Sequence, residues 1–340
     1  MSDRATEGAV ILTGLKPTGP PHLGNYVGML RPALSLVAKH PRSRFLYFIA
    51  DYHALTALRD RELFSELCYD GAATWLALGL DPDSAILYRQ SGIPEVFELC
   101  WLLACVTPKG LMDRAHAYKA AVAENRARGA ADEDAGVCMG LFNYPILMAA
   151  DILLFQTDLV PVGKDQVQHV EFARDIATDF NNAYGQVFKL PECLAQEETG
   201  TVPGLDGRKM SASYGNTIPL FAPRDALRKL IFQIQTDSSP PDAPKDPSNS
   251  TLFLLYRGFA SEREAESMRE RFLQGTVSWA EAKEELFQLA DSVLAEPRQT
   301  YKTLMADRAQ LDAVLAEGAR KARQLAVPFM AQVRKAVGRP

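Results

Sequence analysis

Ala9-Val10-Ile11-Leu12-Thr13-Gly14-Leu15-Lys16-Pro17-Thr18-Gly19-Pro20-Pro21-His22-Leu23-Gly24-Asn25-Tyr26 runs from a short apolar segment, through a loop crowded with glycine and proline, into a helical pattern. Strand, tight loop and helix start are the repeating unit of open α/β sheets. In such sheets ligands bind outside the carboxyl ends of the strands, where a helix N-terminus offers free N–H groups to phosphate. Glycine at position 24 lets a purine or ribose approach the backbone closely. The dinucleotide pattern GxGxxG and the P-loop GxxxxGK are both absent, so any nucleotide held here is held in another way. Taken alone, the stretch is equally compatible with a proline-rich surface loop.

Downstream, β-type runs recur at Phe45 to Ala50, Ala85 to Tyr88 and Leu159 to Val162, separated by helical patterns such as Arg61 to Leu78 and Gln166 to Phe180. Strands alternating with helices predict βαβ units and a parallel sheet. After about Ala222 the strand signal stops. Amphipathic helical stretches follow at Arg224 to Gln235, Glu262 to Leu273, Trp279 to Leu294 and Ala306 to Val337. Four prolines between Thr236 and Ser250 (Pro240, Pro241, Pro244, Pro247) rule out a helix or central strand there and predict an extended connector. The fold class is therefore α/β, a parallel-sheet domain followed by an all-helical C-terminal part.

A chain of 340 residues with 47% hydrophobic and 23% charged residues is long enough for about two soluble globular domains. The longest apolar stretch, around Leu141 to Phe155, is interrupted by Asn143 and Asp151, so no membrane span is expected. Met1 to Gly8 carries charges of both signs and lacks a signal-peptide core, which points to the cytoplasm. Cys68, Cys100, Cys105, Cys138 and Cys193 form no CxxC pair, so neither a disulfide framework nor a zinc site is indicated. A net charge of -5 argues against nonspecific coating of nucleic acid. From Arg298 to Pro340, however, nine Lys or Arg stand against three Asp or Glu, predicting a locally basic face that includes Arg320, Lys321 and Arg323.

A second loop, Gly204-Leu205-Asp206-Gly207-Arg208-Lys209-Met210-Ser211-Ala212-Ser213, gives the first its meaning. His22-Leu23-Gly24-Asn25 resembles the HIGH signature of class I aminoacyl-tRNA synthetases, and Lys209 to Ser213 resembles their mobile KMSKS loop. Either motif alone is weak; both in this order are specific. The resemblance implies a Rossmann-like catalytic domain over 1–222 with an inserted helical segment at about 111–145. It implies a helical anticodon-binding domain over 223–340 whose last helix packs back on the catalytic domain. It further implies that His22, Asn25, Thr18 and Gly24 meet ATP, that Lys209 with Met210, Ser211 and Ser213 closes over the pyrophosphate, and that Lys119 reaches the phosphates from a mobile segment. Asp165 aligns with the residue that holds the ribose, and it also suits a helix N-cap. Two positions depart from the pattern: Ala212 replaces the second loop lysine, and Lys16 stands where glutamine is expected, so Lys16 is a further cation for the phosphates. Mg²⁺ would arrive with ATP, and no tightly bound metal is expected.

Asn143-Tyr144-Pro145-Ile146-Leu147-Met148-Ala149-Ala150-Asp151-Ile152 carries the amino-acid choice. Pro145 suits the first turn of a helix, on which Tyr144, Met148 and Asp151 share one face. A lone carboxylate in an apolar face needs a donor, from the protein or from a ligand. Together with Val160-Pro-Val-Gly-Lys-Asp-Gln-Val-Gln-His169, Ala50-Asp51-Tyr52-His53-Ala54-Leu55-Thr56 and Leu311-Asp-Ala-Val-Leu-Ala-Glu-Gly-Ala-Arg-Lys-Ala, this stretch resembles bacterial-type tryptophanyl-tRNA synthetases. By that likeness Asp151 accepts the indole N–H, His53 stands at the indole edge, and Leu12, Met148, Val160 and Val162 line the ring. Tyr144 and Gln166 hold the α-ammonium. The indole nitrogen only donates, so a carboxylate is its proper partner. The implied partners are ATP, L-tryptophan, tRNA(Trp) and a second copy of the chain in a homodimer. Rival readings are a tyrosyl-tRNA synthetase, an auxiliary paralogue with a regulatory or inhibitor-resistance role, and a nucleotidyltransferase of the same superfamily.

Overall fold

The computed structural model describes residues 6–163, 167–195 and 202–339. Within them β1 (Val10–Leu15), β2 (Arg44–Ile49), β3 (Ala85–Arg89), β4 (Leu159–Val162) and β5 (Glu192–Ala195) pair in parallel in the order β3-β2-β1-β4-β5. The chain leaves β1 for β2 on one side and returns as β4 on the other. The strand order therefore reverses at β1, and a crevice opens outside its carboxyl end. The sequence expectation of a parallel sheet holds, with β5 as an added edge strand.

The helices are α1 (Leu23–Asn25), α2 (Arg31–Lys39), α3 (Asp51–Ala54), α4 (Arg61–Ala77), α5 (Pro94–Ala104), α6 (Lys109–Met112), α7 (His116–Ala127), α8 (Met139–Leu153), α9 (Val167–Tyr184), α10 (Arg224–Gln233), α11 (Thr251–Phe259), α12 (Glu262–Gln274), α13 (Trp279–Ala306) and α14 (Arg308–Ala336). A π-helical turn over Tyr26–Leu30 joins α1 to α2. Residues 236–250 form no regular element, as their prolines require, and Lys245 is buried there with its ammonium on the carbonyls of Pro241 (3.0 Å) and Ala243 (2.8 Å). α12 and α13 start with reciprocal capping boxes, Ser261 with Glu264 and Ser278 with Glu281. α13 runs on through Pro297 to Ala306, well past the expected Leu294, because Leu294 and Leu304 are buried on the same core. Pro145 corrects another expectation: α8 begins at Met139 behind an N-cap at Cys138, so the proline lies mid-helix and offers no N–H to the carbonyl of Leu141.

Alternation along the strands sends Phe45, Tyr47 and Ile49 to one face of the sheet and Leu46 and Phe48 to the other. The first face shares a continuous apolar core with α4 and with α10 to α13, including Trp75, Leu255, Phe272 and Leu286. The second packs on α5, α8 and α9 and on the buried Ala322, Ala326, Met330 and Val333 of α14.

α14 lies directly against the edge strand β3. A Cβ on Gly318 would stand 1.7 Å from the carbonyl oxygen of Leu87, so the helix can approach this closely only with glycine there. Five of the nine basic residues of this segment meet partners far away in sequence. Arg323 pairs with Glu95 (2.7 Å), Arg334 and Arg339 with Glu98, and Lys321 donates to the carbonyl of Pro82 (3.0 Å). Arg320 pairs with Glu317 on its own helix, and Arg308 with Glu66. The basic face expected from composition is thus largely neutralised by carboxylates distant in sequence.

Candidate active site

A cavity of about 910 Å³ opens where the strand order reverses, lined by the carboxyl end of β1, by β4 and by both motif loops. Gly14 forms part of its floor because the ring of Phe48 fills the space a side chain would take, 2.6 Å from an added Cβ. The turn after β1 ends at His22, whose extended backbone starts the helical run. His22 Nδ1 accepts the Asn25 N–H (3.3 Å), while Asn25 Oδ1 accepts the His22 N–H (3.0 Å). With Nδ1 engaged as acceptor, the ring proton sits on Nε2. Burial pushes the His22 pKa down to about 4, so at neutral pH the ring is an uncharged donor.

The second loop is docked on the first. Leu23 donates to Ile218 (2.9 Å), Leu220 to Pro21 (2.9 Å), and the Gly24 N–H reaches the Met210 sulfur (3.2 Å). A Cβ at Gly24 would press on the His22 ring and on Met210 Cβ, and one at Gly19 on Ala212, so these two glycines set the loop spacing. Asn216, almost fully buried, braces the turn: its Oδ1 accepts the Ser211 N–H (2.9 Å), and its Nδ2 donates to Asp206 (2.7 Å) and to the Lys209 carbonyl (3.1 Å). Arg208 pairs with Asp206 and lies over the Tyr214 ring. Lys16, Thr18, Lys209, Ser211 and Ala212 all line the cavity. Lys16 donates to Thr56 Oγ1 (3.1 Å), which itself donates to the His53 carbonyl (2.8 Å). The cleft walls partly strip water from this ammonium and lower its pKa.

At the other end, Leu12, Met148, Val160 and Val162 form apolar walls around Asp151. Asp151 is 1% exposed, and its carboxylate receives Gln90 Nε2 at 2.9 and 2.8 Å, with His53 Nε2 at 3.0 Å. Burial raises its pKa, opposed by the bonds to His53 and Gln90. Tyr144 and His169 make a second, partly buried polar pair, hydroxyl to Nε2, at 2.8 Å. Burial raises the Tyr144 pKa, with the Ala117 amide opposing.

Most of the expected site residues therefore converge. Lys119 does not: it is exposed on α7 and does not line the cavity, although Ala117, two residues earlier on the same helix, does. Asp165 and Gln166 lie outside the described residues, as does the side chain of Ser213. Gln90, His169 and Asn216 escaped sequence reasoning as site residues. His169 alone had a signal, as the last residue of the Val160-to-His169 stretch. Among the described residues no group of His, Cys, Asp or Glu could hold a metal ion.

A family model described as tRNA synthetases class I (W and Y) matches residues 4–295. The tryptophan–tRNA ligase of Pseudomonas aeruginosa is 53% identical over 331 residues, covering 96% of this chain and 73% of that protein. The tryptophan–tRNA ligase of Xanthomonas campestris pv. campestris is 53% identical over 330 residues, covering 96% and 76%. Among solved structures, tryptophanyl-tRNA synthetase from Campylobacter jejuni complexed with ADP and tryptophan superimposes with a TM-score of 0.82 at 41% identity, over 97% of this chain and 99% of that one.

Proposed function

We infer the reaction from the premise that the chain belongs to the class I tRNA synthetases (W and Y): it is a tryptophan–tRNA ligase. It activates L-tryptophan with ATP to tryptophanyl-adenylate and pyrophosphate, then passes tryptophan to the terminal adenosine of tRNA(Trp). The observation that carries the choice of amino acid is the buried carboxylate of Asp151 at the base of an apolar slot. Indole offers one donor and no acceptor, which a carboxylate satisfies, and phenylalanine would leave that carboxylate short of a partner.

ATP enters as its Mg²⁺ complex and lies between the two loops. The tryptophan carboxylate attacks the α-phosphorus, the bond to the bridging oxygen breaks, and its electron pair leaves with pyrophosphate. Negative charge thus grows on the leaving group, where fixed donors and cations lower the barrier with no covalent step by the protein. His22 serves as a neutral Nε2–H donor to phosphate, and its low pKa keeps that role constant across the physiological range. Lys209 and Lys16, both lining the cleft, supply positive charge; Thr18, Gly24, Asn25 and Ser211 complete the ATP contacts. Asp165 and Ser213 are assigned to the nucleotide, and Gln166 with Tyr144 to the α-ammonium, on the resemblance alone. Lys119 takes part only if α7 swings toward the cleft.

The helical part from 223 onward is assigned to the anticodon, with its recognition surface away from the neutralised docking face of α14. The homodimer is assigned to the face where Trp101 is 71% exposed on α5, one turn beyond Phe97, whose ring packs on Tyr52. No helix among the described residues is long and apolar enough to cross a membrane, and the enzyme is assigned to the cytoplasm as a compartment in which tRNA is charged. ATP–pyrophosphate exchange with each of the twenty amino acids tests the assignment: tryptophan alone should support rapid exchange, and exchange driven by tyrosine instead would overturn it.

A further inference from the structure

Gln90 is wholly buried, at 0% exposure, in the 3-10 turn Gln90–Gly92 that leaves β3. It does not line the cavity, whereas Asp151 and His53 do, so its amide reaches the carboxylate from behind. Nε2 lies within 2.9 Å of both carboxylate oxygens, while Oε1 has no partner among the described residues. An orphaned buried acceptor is costly, and an apolar side chain would avoid that cost. The compensation lies in the carboxylate, which would otherwise face the slot with His53 as its only side-chain donor among the described residues.

The turn itself is held from three sides. The Ser91 N–H (3.0 Å) and hydroxyl both donate to the buried Asp51. The Ile93 N–H closes on the Gln90 carbonyl (3.0 Å). A Cβ on Gly92 would stand 3.1 Å from Ala319 Cβ of α14, so the helix leans directly on the turn.

We propose that Gln90 is a positioning residue for amino-acid specificity, holding the Asp151 carboxylate in the one rotation that presents a free lone pair to an N–H donor in the slot. Gripped by Gln90 on both oxygens and by His53 on one, the carboxylate has few acceptor directions left. A carboxylate free to turn could instead meet a phenol hydroxyl or a water. The proposal rests on Asp151 being the indole acceptor, and the test separates the two.

The experiment compares ATP–pyrophosphate exchange with tryptophan and with 3-(3-benzothienyl)alanine, which has sulfur in place of the indole N–H and nearly the same shape. The readout is the ratio of their kcat/KM values in wild type, Gln90→Met and Asp151→Asn. Loss of a hydrogen bond to a charged group corresponds to about a tenfold change or more, so Gln90→Met should shrink the preference for tryptophan by about that factor, with the KM for ATP unchanged. Gln90→Asn keeps the amide but withdraws it by one methylene with little disturbance of the core, and should shrink the ratio too. A Gln90 variant that slows both substrates equally, ratio intact, makes Gln90 merely structural and overturns the proposal. An Asp151→Asn enzyme that keeps the wild-type ratio overturns the reading of Asp151 itself, and the proposal with it.

Discussion

Gly318→Ala puts two principles in opposition. Alanine is favoured over glycine inside a helix by about 1 kcal/mol, so propensity predicts a more stable protein. The structure predicts the reverse, since the added methyl would lie 1.7 Å from the Leu87 carbonyl oxygen and 2.6 Å from its carbon. Neither backbone can rotate out of the way, and α14 must lift from β3 by more than an ångström. Overpacking costs about 1 to 3 kcal/mol, and with two rigid partners the upper figure applies, so the net loss is about 2 kcal/mol after the propensity gain. Urea unfolding of wild type, Gly318→Ala and the control Gly110→Ala measures it, because an added Cβ at Gly110 meets nothing within 4 Å. The control should be neutral or slightly stabilised. Leu87 is three residues before Gln90, so the KM for tryptophan should rise severalfold in Gly318→Ala while the KM for ATP holds. A Gly318→Ala protein as stable as wild type would refute the close docking of α14 and the support it lends to the pocket.

Three further outcomes are expected. Lys16→Gln should slow adenylate formation by roughly tenfold or more, the effect of removing one preorganised cation, and adding Ala212→Lys should recover much of it; strictly additive effects in pre-steady-state measurements of this four-member cycle would give Lys16 another task. Arg323→Gln should lower thermal stability by roughly 1 to 2 kcal/mol, since it leaves the buried Glu95 unpaired. Arg320→Gln, whose pair is an exposed one along its own helix, should change nothing, and equal melting of the two variants would remove the docking role of Arg323. Burial pushes the Asp70 pKa up to about 6, with the Tyr301 hydroxyl of α13 beside it. A raised folded pKa means stability that is complete below about pH 4 and lost as pH rises through 6, so Asp70→Asn should raise the melting temperature at pH 7.5 and not at pH 4.5. An equal shift at both values would show that the carboxyl does not titrate in this window.

The sheet was legible because buried parallel strands read as continuous apolar runs between turn residues, and the ligand crevice followed from the strand–loop–helix order. β5 was not, because Glu192-Cys-Leu-Ala is too short and mixed to stand out, and α11 was not, because its nine residues are apolar on nearly every side. In the candidate site, residues on one local stretch were found together: His22 with Asn25, and Tyr144 with Met148 and Asp151. Gln90 meets Asp151 across 61 positions and Arg323 meets Glu95 across 228. Pairings at that range leave no local period or motif, which is why one buried amide was missed and one neutralised face looked basic. Lys119 differs: the resemblance put it on a mobile segment that reaches the phosphates, and in this structure it is an exposed residue of α7 outside the cavity lining.

The docking of α14 on β3 also orders events during synthesis. β3 is an outer strand of the sheet, and the helix that covers it is made more than 220 residues later, as the separation of Arg323 from Glu95 shows. At roughly 5 to 20 residues per second on the ribosome, the nascent chain carries that bare edge for roughly 10 to 50 seconds. An uncovered strand edge is a template for pairing with other chains. The final helix is therefore also what ends the interval in which neighbouring nascent chains on one message could aggregate. Slowing translation between β3 and α14 should lower the soluble yield of a protein whose finished fold is unchanged.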